Sequence, residues 1–339
     1  MDAAIEVAPS ESLSRLTARR ILADVMRYRR VPGAHDTCGD RGCEKCSSWH
    51  LPKIAAAVTA ERPVSFVLPA FPGKSPNPEK VLGTLPDFAE RLSLRFLGEL
   101  AATVKRYYAP GIKIILCSDG RVFSDVVGMK ESDVTAYQIE LDRMIEEMEL
   151  ADVSTFNLDD HYRGLDFVAM RDALMQRYGS PLASLRNKVR EGAKATATAE
   201  EQEANRMYRG ITRFMYEDSL FPGQTKTKSG LQTEARAKAY EVIRRSNAWT
   251  ELIAEFFPSS VRLSIHPQSC DSKKLGIRLV GDESWMTPWH GVAVETRDGY
   301  VLLKRSEAEA SGAELVRDAG GRPSHYRLVG EARLAQRRV

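Results

Sequence analysis

No apolar run in the 339 residues approaches the roughly 18–20 needed to span a bilayer. A one-sided charge is missing too, since 49 Lys and Arg face 46 Asp and Glu and leave a net charge of +3. That balance lacks the clustered cations with which proteins hold nucleic-acid backbones. Cysteine is scarce, and an odd count of five argues against a disulfide framework. The first residues, MDAAIEVAPSESLSRL, carry Asp2 and Glu6 and lack the basic-then-apolar order of a secretory signal. The expectation is a cytoplasmic protein in a reducing compartment, with neither nucleic acid nor membrane as partner. What is present is a hydrophobic fraction of 43% and a charged fraction of 28%, ordinary for a chain with a substantial core.

The pattern alternates. Residues 11–31 space Leu13, Leu16, Ile21, Leu22, Val25 and Met26 near helical intervals, with basic residues between them. A polar, Cys-rich stretch at 35–50 reads as a loop. VSFVLPA at 64–70 reads as a strand, FPGKSPNPEK at 71–80 as a loop, and 87–108 as a helix opened by Asp87 with Glu90 at capping-box spacing. IKIILC at 112–117 is a second strand, SDGRVFSD at 118–125 a turn, 132–149 a helix and VSTFNL at 152–157 a third strand. This alternation predicts an α/β fold, a Rossmann-like parallel sheet that binds ligands beyond the carboxyl ends of its strands. Residues 165–257 are helix-prone, and 261–267, 275–281, 291–296 and 300–305 read as strands, three or four of them antiparallel. The expected organisation is an N-terminal helix and Cys-rich loop over 1–58, an α/β core over 59–165, helices over 166–257 and a β-rich region over 258–339.

Four constellations bear chemistry. Cys38, Cys43, Cys46 and His50 stand at C-x4-C-x2-C-x3-H, a set able to hold a structural zinc, or else incidental thiols on a surface loop. Lys74, Ser75, Asn77 and Lys80 sit in a Pro/Gly loop at a strand end, where a phosphate or carboxylate would be met. Ser118, Asp119, Arg121 and Asp125 follow the second strand; two carboxylates around an arginine suit proton transfer or a structural ion pair equally. Arg262, Ser264 and His266 alternate toward one face of a strand, and His290 beside Trp289 supplies a second imidazole. Arg209 and Arg213, four apart on a helix, form either an anion clamp or a solvated face.

FPGKSPNPEKVLGTLPDFAE, YAPGIKIILCSDGRVFSDVVG, RLSIHP and TPWHGVAV, in that order, closely resemble the isonitrile (isocyanide) synthases of the pyoverdine/dityrosine biosynthesis protein family. The resemblance runs from about residue 61 to about 328. It implies an enzyme that turns the α-amino group of tyrosine or tryptophan into an isonitrile, taking the carbon from ribulose 5-phosphate without a redox cofactor. It also implies a downstream iron- and 2-oxoglutarate-dependent oxygenase as pathway partner. On that reading Lys74, Ser75, Asn77 and Lys80 anchor the sugar phosphate, with a Schiff base at Lys74 as the alternative. Arg262 or Arg209 meets the amino-acid carboxylate, and Asp119, Asp125, His266 and His290 move protons. Ser118, Arg121, Ser264 and Trp289 complete the binding set. Tyrosine is favoured over tryptophan, and a homodimer is the default assembly. Two rival readings stand beside this one: a sugar-phosphate aldolase or isomerase, and a zinc-stabilised ligand-binding or interaction module.

Overall fold

The computed structural model describes residues 12–31, 43–280 and 286–328. Helix α1 (Leu13–Met26) is capped by the Ser12 hydroxyl, which accepts from the Arg15 N–H. Helix α2 (Glu44–Thr59) begins inside the segment expected to be a loop, with Cys43 at its N-cap. Cys46, His50, Ile54 and Val58 are its buried residues, and their four-residue spacing is a helical stripe that a metal-ligand reading of the cysteines conceals.

The alternating core follows: β1 (Val64–Leu68), α3 (Phe88–Lys105), β2 (Ile112–Cys117), α4 (Gly120–Val127), α5 (Glu131–Glu147) and β3 (Val153–Phe156). Helix α3 opens with the expected capping box, in which Asp87 accepts from the Ala89 N–H and Glu90 accepts from the Asp87 N–H. The 118–125 stretch is mostly α4 rather than a turn, and Asp119 is its N-cap residue. Gly120 is required there, because a Cβ would lie 1.9 Å from the Pro72 carbonyl oxygen. The strand ends after β1 and β2 are therefore packed backbone against backbone.

Five helices come next: α6 (Leu158–His161), α7 (Phe167–Tyr178), α8 (Leu182–Glu191), α9 (Ala199–Asp218) and the 29-residue α10 (Lys228–Phe256). None of the helices among the described residues is long and apolar enough to cross a membrane. Strands β4 (Val261–Ser264) and β5 (Leu275–Gly276) then return to the core and complete one parallel sheet of order β3-β2-β1-β4-β5. These two segments were expected among antiparallel strands. They run parallel because α10 and the loop 265–274 each carry the chain back before the next strand begins. The antiparallel pairing lies further on, where β6 (Val292–Thr296) and β7 (Gly299–Leu303) form a hairpin. With α11 (Arg305–Ala310), β8 (Glu314–Arg317) and β9 (Pro323–Arg327) they make a second sheet of order β7-β6-β9-β8.

Both faces of the main sheet are covered. Phe66, Leu68, Ile112, Ile114 and Leu116 pack under α1, α2, α3 and α5, while Val67 and Cys117 face Trp249, Leu252 and Ile253 of α10. Such two-sided burial explains why the strands read as unbroken apolar runs. Chain order moves outward from β1 through β2 to β3, then resumes on the other side of β1 with β4. The reversal between β1 and β4 opens the crevice in which parallel sheets hold ligands.

The loop 71–80 joins these parts. Lys74 is buried, its Nζ 2.8 Å from Asp87 Oδ2, 2.7 Å from Glu90 Oε2 and 3.0 Å from the Pro288 carbonyl oxygen. Two ion pairs and one hydrogen bond surround the ammonium and leave little room for a phosphate. Burial alone would lower the Lys74 pKa, but the two carboxylates outweigh it and the net direction is up. This arrangement gives Lys74 a scaffold role in place of the expected phosphate contact, and an amine held protonated is not poised as the nucleophile of a Schiff base. We expect Lys74→Met to cost about 3–5 kcal/mol in chemical denaturation, because it strands two buried carboxyl groups. A phosphate anchor would instead change the KM for the sugar phosphate and leave the unfolding midpoint in place.

Candidate active site

Strand β4 sets Arg262 opposite Val67 of β1, on the face that meets α10. The alternation expected for this strand holds, with Val261 and Leu263 buried and Arg262 and Ser264 half-buried. Arg262 donates weakly through Nη2 to Thr250 Oγ1 at 3.4 Å, while its Nε and Nη1 are buried without any hydrogen-bond partner. Burial lowers its pKa to about 10, against the pull of Cys117 and Asp119, so the guanidinium stays charged at neutral pH. A buried cation with two idle donors is costly unless an anion arrives to take them.

Asp119 is the carboxylate within electrostatic reach of that guanidinium. Burial pushes its pKa up to about 7, and the opposing effects of a backbone hydrogen bond and of Arg262 are smaller. A carboxyl group poised there can give or take a proton near neutrality.

The imidazoles converge on the same crevice. His266 follows β4, and its N–H donates to Ser264 Oγ at 3.1 Å. Its side chain is exposed to solvent while hemmed in by protein; this crowding, then Arg30 and Lys274, lowers its pKa. His290 lies in the short 3-10 turn Pro288–His290, with Nδ1 2.9 Å from Thr287 Oγ1 and its ring 4.7 Å edge-on from Phe214. Burial lowers its pKa to about 3, opposed by Asp218 and reinforced by Lys80, His266 and Lys74. Both histidines are thus neutral proton acceptors at pH 7, and an anionic substrate would raise them toward the working range. Lys274, on the loop between β4 and β5, makes no ion pair among the described residues; burial and Arg262 lower its pKa. Sequence patterning gave no sign of Lys274 or of Phe214, the aromatic that touches His290.

Several expected site residues serve the scaffold instead. Asp218, at the end of α9, accepts from Ser75 Oγ at 2.8 Å and from Lys80 Nζ at 2.6 Å, while Asn77 Nδ2 donates to the carbonyls of Asp218 and Leu220 at 3.0 Å. The loop therefore uses its polar groups to dock α9, as a buried irregular segment must. Ser118 is buried and donates to the Phe71 carbonyl at 2.8 Å, holding Phe71 in the left-handed region at φ 59°. Trp289 is 3% exposed and packs on Phe71 with ring centroids 5.2 Å apart.

Arg121 is buried and engages Glu131, Asp159 and Thr135, which removes it from substrate binding. Asp125 is exposed and held by Arg245 and Arg171; although burial opposes them, their charges and hydrogen bonds lower its pKa, so it is not a neutral-pH proton carrier. Arg209 is exposed on α9, and Arg213 pairs with Glu217, so the two do not form a clamp. Of the zinc set, Cys38 lies outside the described residues. Cys43 and Cys46 meet Cys270, and His50 is not part of that group.

Asp119→Asn should lower kcat by roughly 10²–10⁴-fold, the range expected for a positioned acid–base group. Its pH dependence has a definite sign. The folded pKa lies above the ordinary carboxylate value, so ionising Asp119 costs stability from about pH 4 upward and the cost is complete above about pH 7. Urea titrations should therefore show the Asp119→Asn variant gaining on the parent between about pH 4 and pH 7. For the guanidinium, Arg262→Met should abolish turnover while raising the stability of the unliganded protein by about 1 kcal/mol or more, because it removes a buried, half-idle charge. A lower melting temperature for Arg262→Met would show that the arginine is structural.

The chain matches the pyoverdine/dityrosine biosynthesis protein family over residues 54–316. It is 46% identical over 325 residues to an L-tyrosine isonitrile synthase of Pseudomonas aeruginosa, covering 94% of this chain and 95% of the relative. An L-tryptophan isonitrile synthase of Fischerella ambigua, AmbI2, is 40% identical over 314 residues, 92% of each chain. The crystal structure of PvcA from Pseudomonas aeruginosa superposes with a TM-score of 0.85 at 44% identity, covering 92% of this chain and 100% of that one. The sequence resemblance is thereby confirmed along nearly the whole length, and the chain belongs to the pyoverdine/dityrosine biosynthesis protein family, among its isonitrile synthases.

Proposed function

We propose that this enzyme converts the α-amino group of an aromatic L-amino acid, tyrosine before tryptophan, into an isonitrile, with ribulose 5-phosphate as carbon donor. The observation that carries the reading is Arg262: a buried guanidinium with two unpartnered donors, beside a carboxyl group poised near pH 7 and two neutral imidazoles. Each substrate carries an anionic group, a carboxylate or a phosphate, and Arg262 and Lys274 are two cations of the crevice that can meet them. The amine and the ketone condense to an imine, after which enolisation, loss of phosphate and carbon–carbon cleavage each move a proton. On this reading Asp119 acts in either direction, and His266 and His290 accept protons first. Phe214, against His290, is an aromatic surface beside these groups.

Tyrosine is put first because relatives from Pseudomonas aeruginosa and Xenorhabdus nematophila, 46% and 41% identical, are named for tyrosine, against 40% and 38% for two named for tryptophan. The isonitrile would pass to an iron- and 2-oxoglutarate-dependent oxygenase. Incubating the enzyme with ribulose 5-phosphate labelled with carbon-13 at C2, and with tyrosine or tryptophan in separate reactions, tests this by mass spectrometry. The expected product carries the label and arises faster with tyrosine. An unlabelled isonitrile would overturn the donor, and faster reaction of tryptophan would overturn the amino-acid preference.

A further inference from the structure

Away from the crevice, two thiols of one helix end meet a third from a distant part of the sequence. Cys43 is the N-cap of α2, Cys46 stands three residues into it, and Cys270 comes from the loop 265–274 between β4 and β5. Their sulfurs lie 3.0 Å (Cys43–Cys270), 3.1 Å (Cys46–Cys270) and 4.0 Å (Cys43–Cys46) apart. They form the group of potential metal ligands found among the described residues. We propose that Cys43, Cys46 and Cys270 bind one zinc ion as thiolates, and that the ion clamps the His266 loop to helix α2.

The geometry favours a metal over a disulfide. A disulfide joins two sulfurs at about 2.05 Å and would leave the third thiol unexplained. Here Cys270 is almost equidistant from two partners. Three sulfurs on a tetrahedral zinc, each about 2.3 Å from the metal, stand about 3.8 Å apart, so the trio needs shifts of under about 1 Å to close around the ion. The surroundings suit a negatively charged metal centre. Cys43 and Cys46 occupy the first turn of a 16-residue helix, where the backbone N–H groups and the helix dipole stabilise negative charge. Arg29 Nη1 lies 3.4 Å from Cys46 Sγ, a cation placed to balance a thiolate–zinc centre.

The location gives the ion a task. The loop 265–274 carries His266 at one end and Lys274 at the other, with Cys270 midway. Its strand-like regularity ends at Ser264, and β5 is only two residues long. Arg30 Nη1, donating to the Ile265 carbonyl at 2.6 Å, ties one end of the loop. Zinc at Cys270 would tie the middle, so the ion acts on His266 and Lys274 by position and never touches substrate.

The test is metal analysis of the full chain purified under reducing conditions, with native mass spectrometry for stoichiometry. About one zinc per chain is expected, with cobalt substitution giving the sulfur-to-cobalt charge-transfer absorption of thiolate ligation. Cys46→Ser and Cys270→Ser should each reduce zinc content at least about 10-fold, whereas Cys117→Ala, which alters a thiol buried under α10, should leave it unchanged. Where a serine variant fails to fold, chelator titration of the parent replaces it, and zinc release should accompany a fall in melting temperature. Absence of zinc both as purified and after reconstitution would overturn the proposal. So would an intact mass two hydrogens light, showing a disulfide, or zinc retained in full by Cys270→Ser.

Discussion

The cluster of Lys74 with Asp87, Glu90 and the Pro288 carbonyl is the contact on which the rest of the arrangement depends. One buried ammonium joins the loop after β1, the first turn of α3 and the turn that presents His290. Charges this deep are tolerable only when fully matched, and the match is made three ways at once. Tyr137 adds a hydrogen bond to Glu90 at 3.1 Å, linking α5 to the same knot. A second knot around Asp218 fastens α9 to the loop 71–80, so that helix roofs the crevice beside His290.

Because those polar groups are matched to each other, the crevice is left with a short list of uncommitted ones. Arg262 holds idle donors, Asp119 sits near its ionisation point, and the two histidines are neutral. The idle donors of Arg262 are unfavourable in the unliganded protein and are relieved by an anionic group, while Asp119 and the histidines are left able to exchange protons with it. Stability is held in the Lys74 and Asp218 knots, while reactivity is held in groups that the fold leaves unsatisfied.

The core was legible in the sequence because parallel strands buried on both faces leave continuous apolar runs, and Asp87 and Glu90 announced the start of α3. What was not legible was partnership. Lys74 and Lys80 in a Pro/Gly loop look the same whether they await a phosphate or meet Asp87, Glu90 and Asp218 from distant segments. Asp125 and Arg121 sat in the right stretch, but the arginines and carboxylates that claim them lie on α5, α6, α7 and α10. The alternation of Arg262 and Ser264 fared better, since the two-residue period of a strand fixes which side chains share a face, whereas His266 lies beyond the strand's end. Cys43 and Cys46 were visible as a pair, while Cys270, 224 residues beyond Cys46, could be joined to them only by the fold.

The account rests on Arg262 as the seat of an anionic substrate. Calorimetric titration of folded Arg262→Met with L-tyrosine and with ribulose 5-phosphate tests it most directly. Loss of at least one of the two binding isotherms, in a protein at least as stable as the parent, is the predicted result. Retention of both at the parent's affinities would contradict it and return the search for the anion's partner to Lys274.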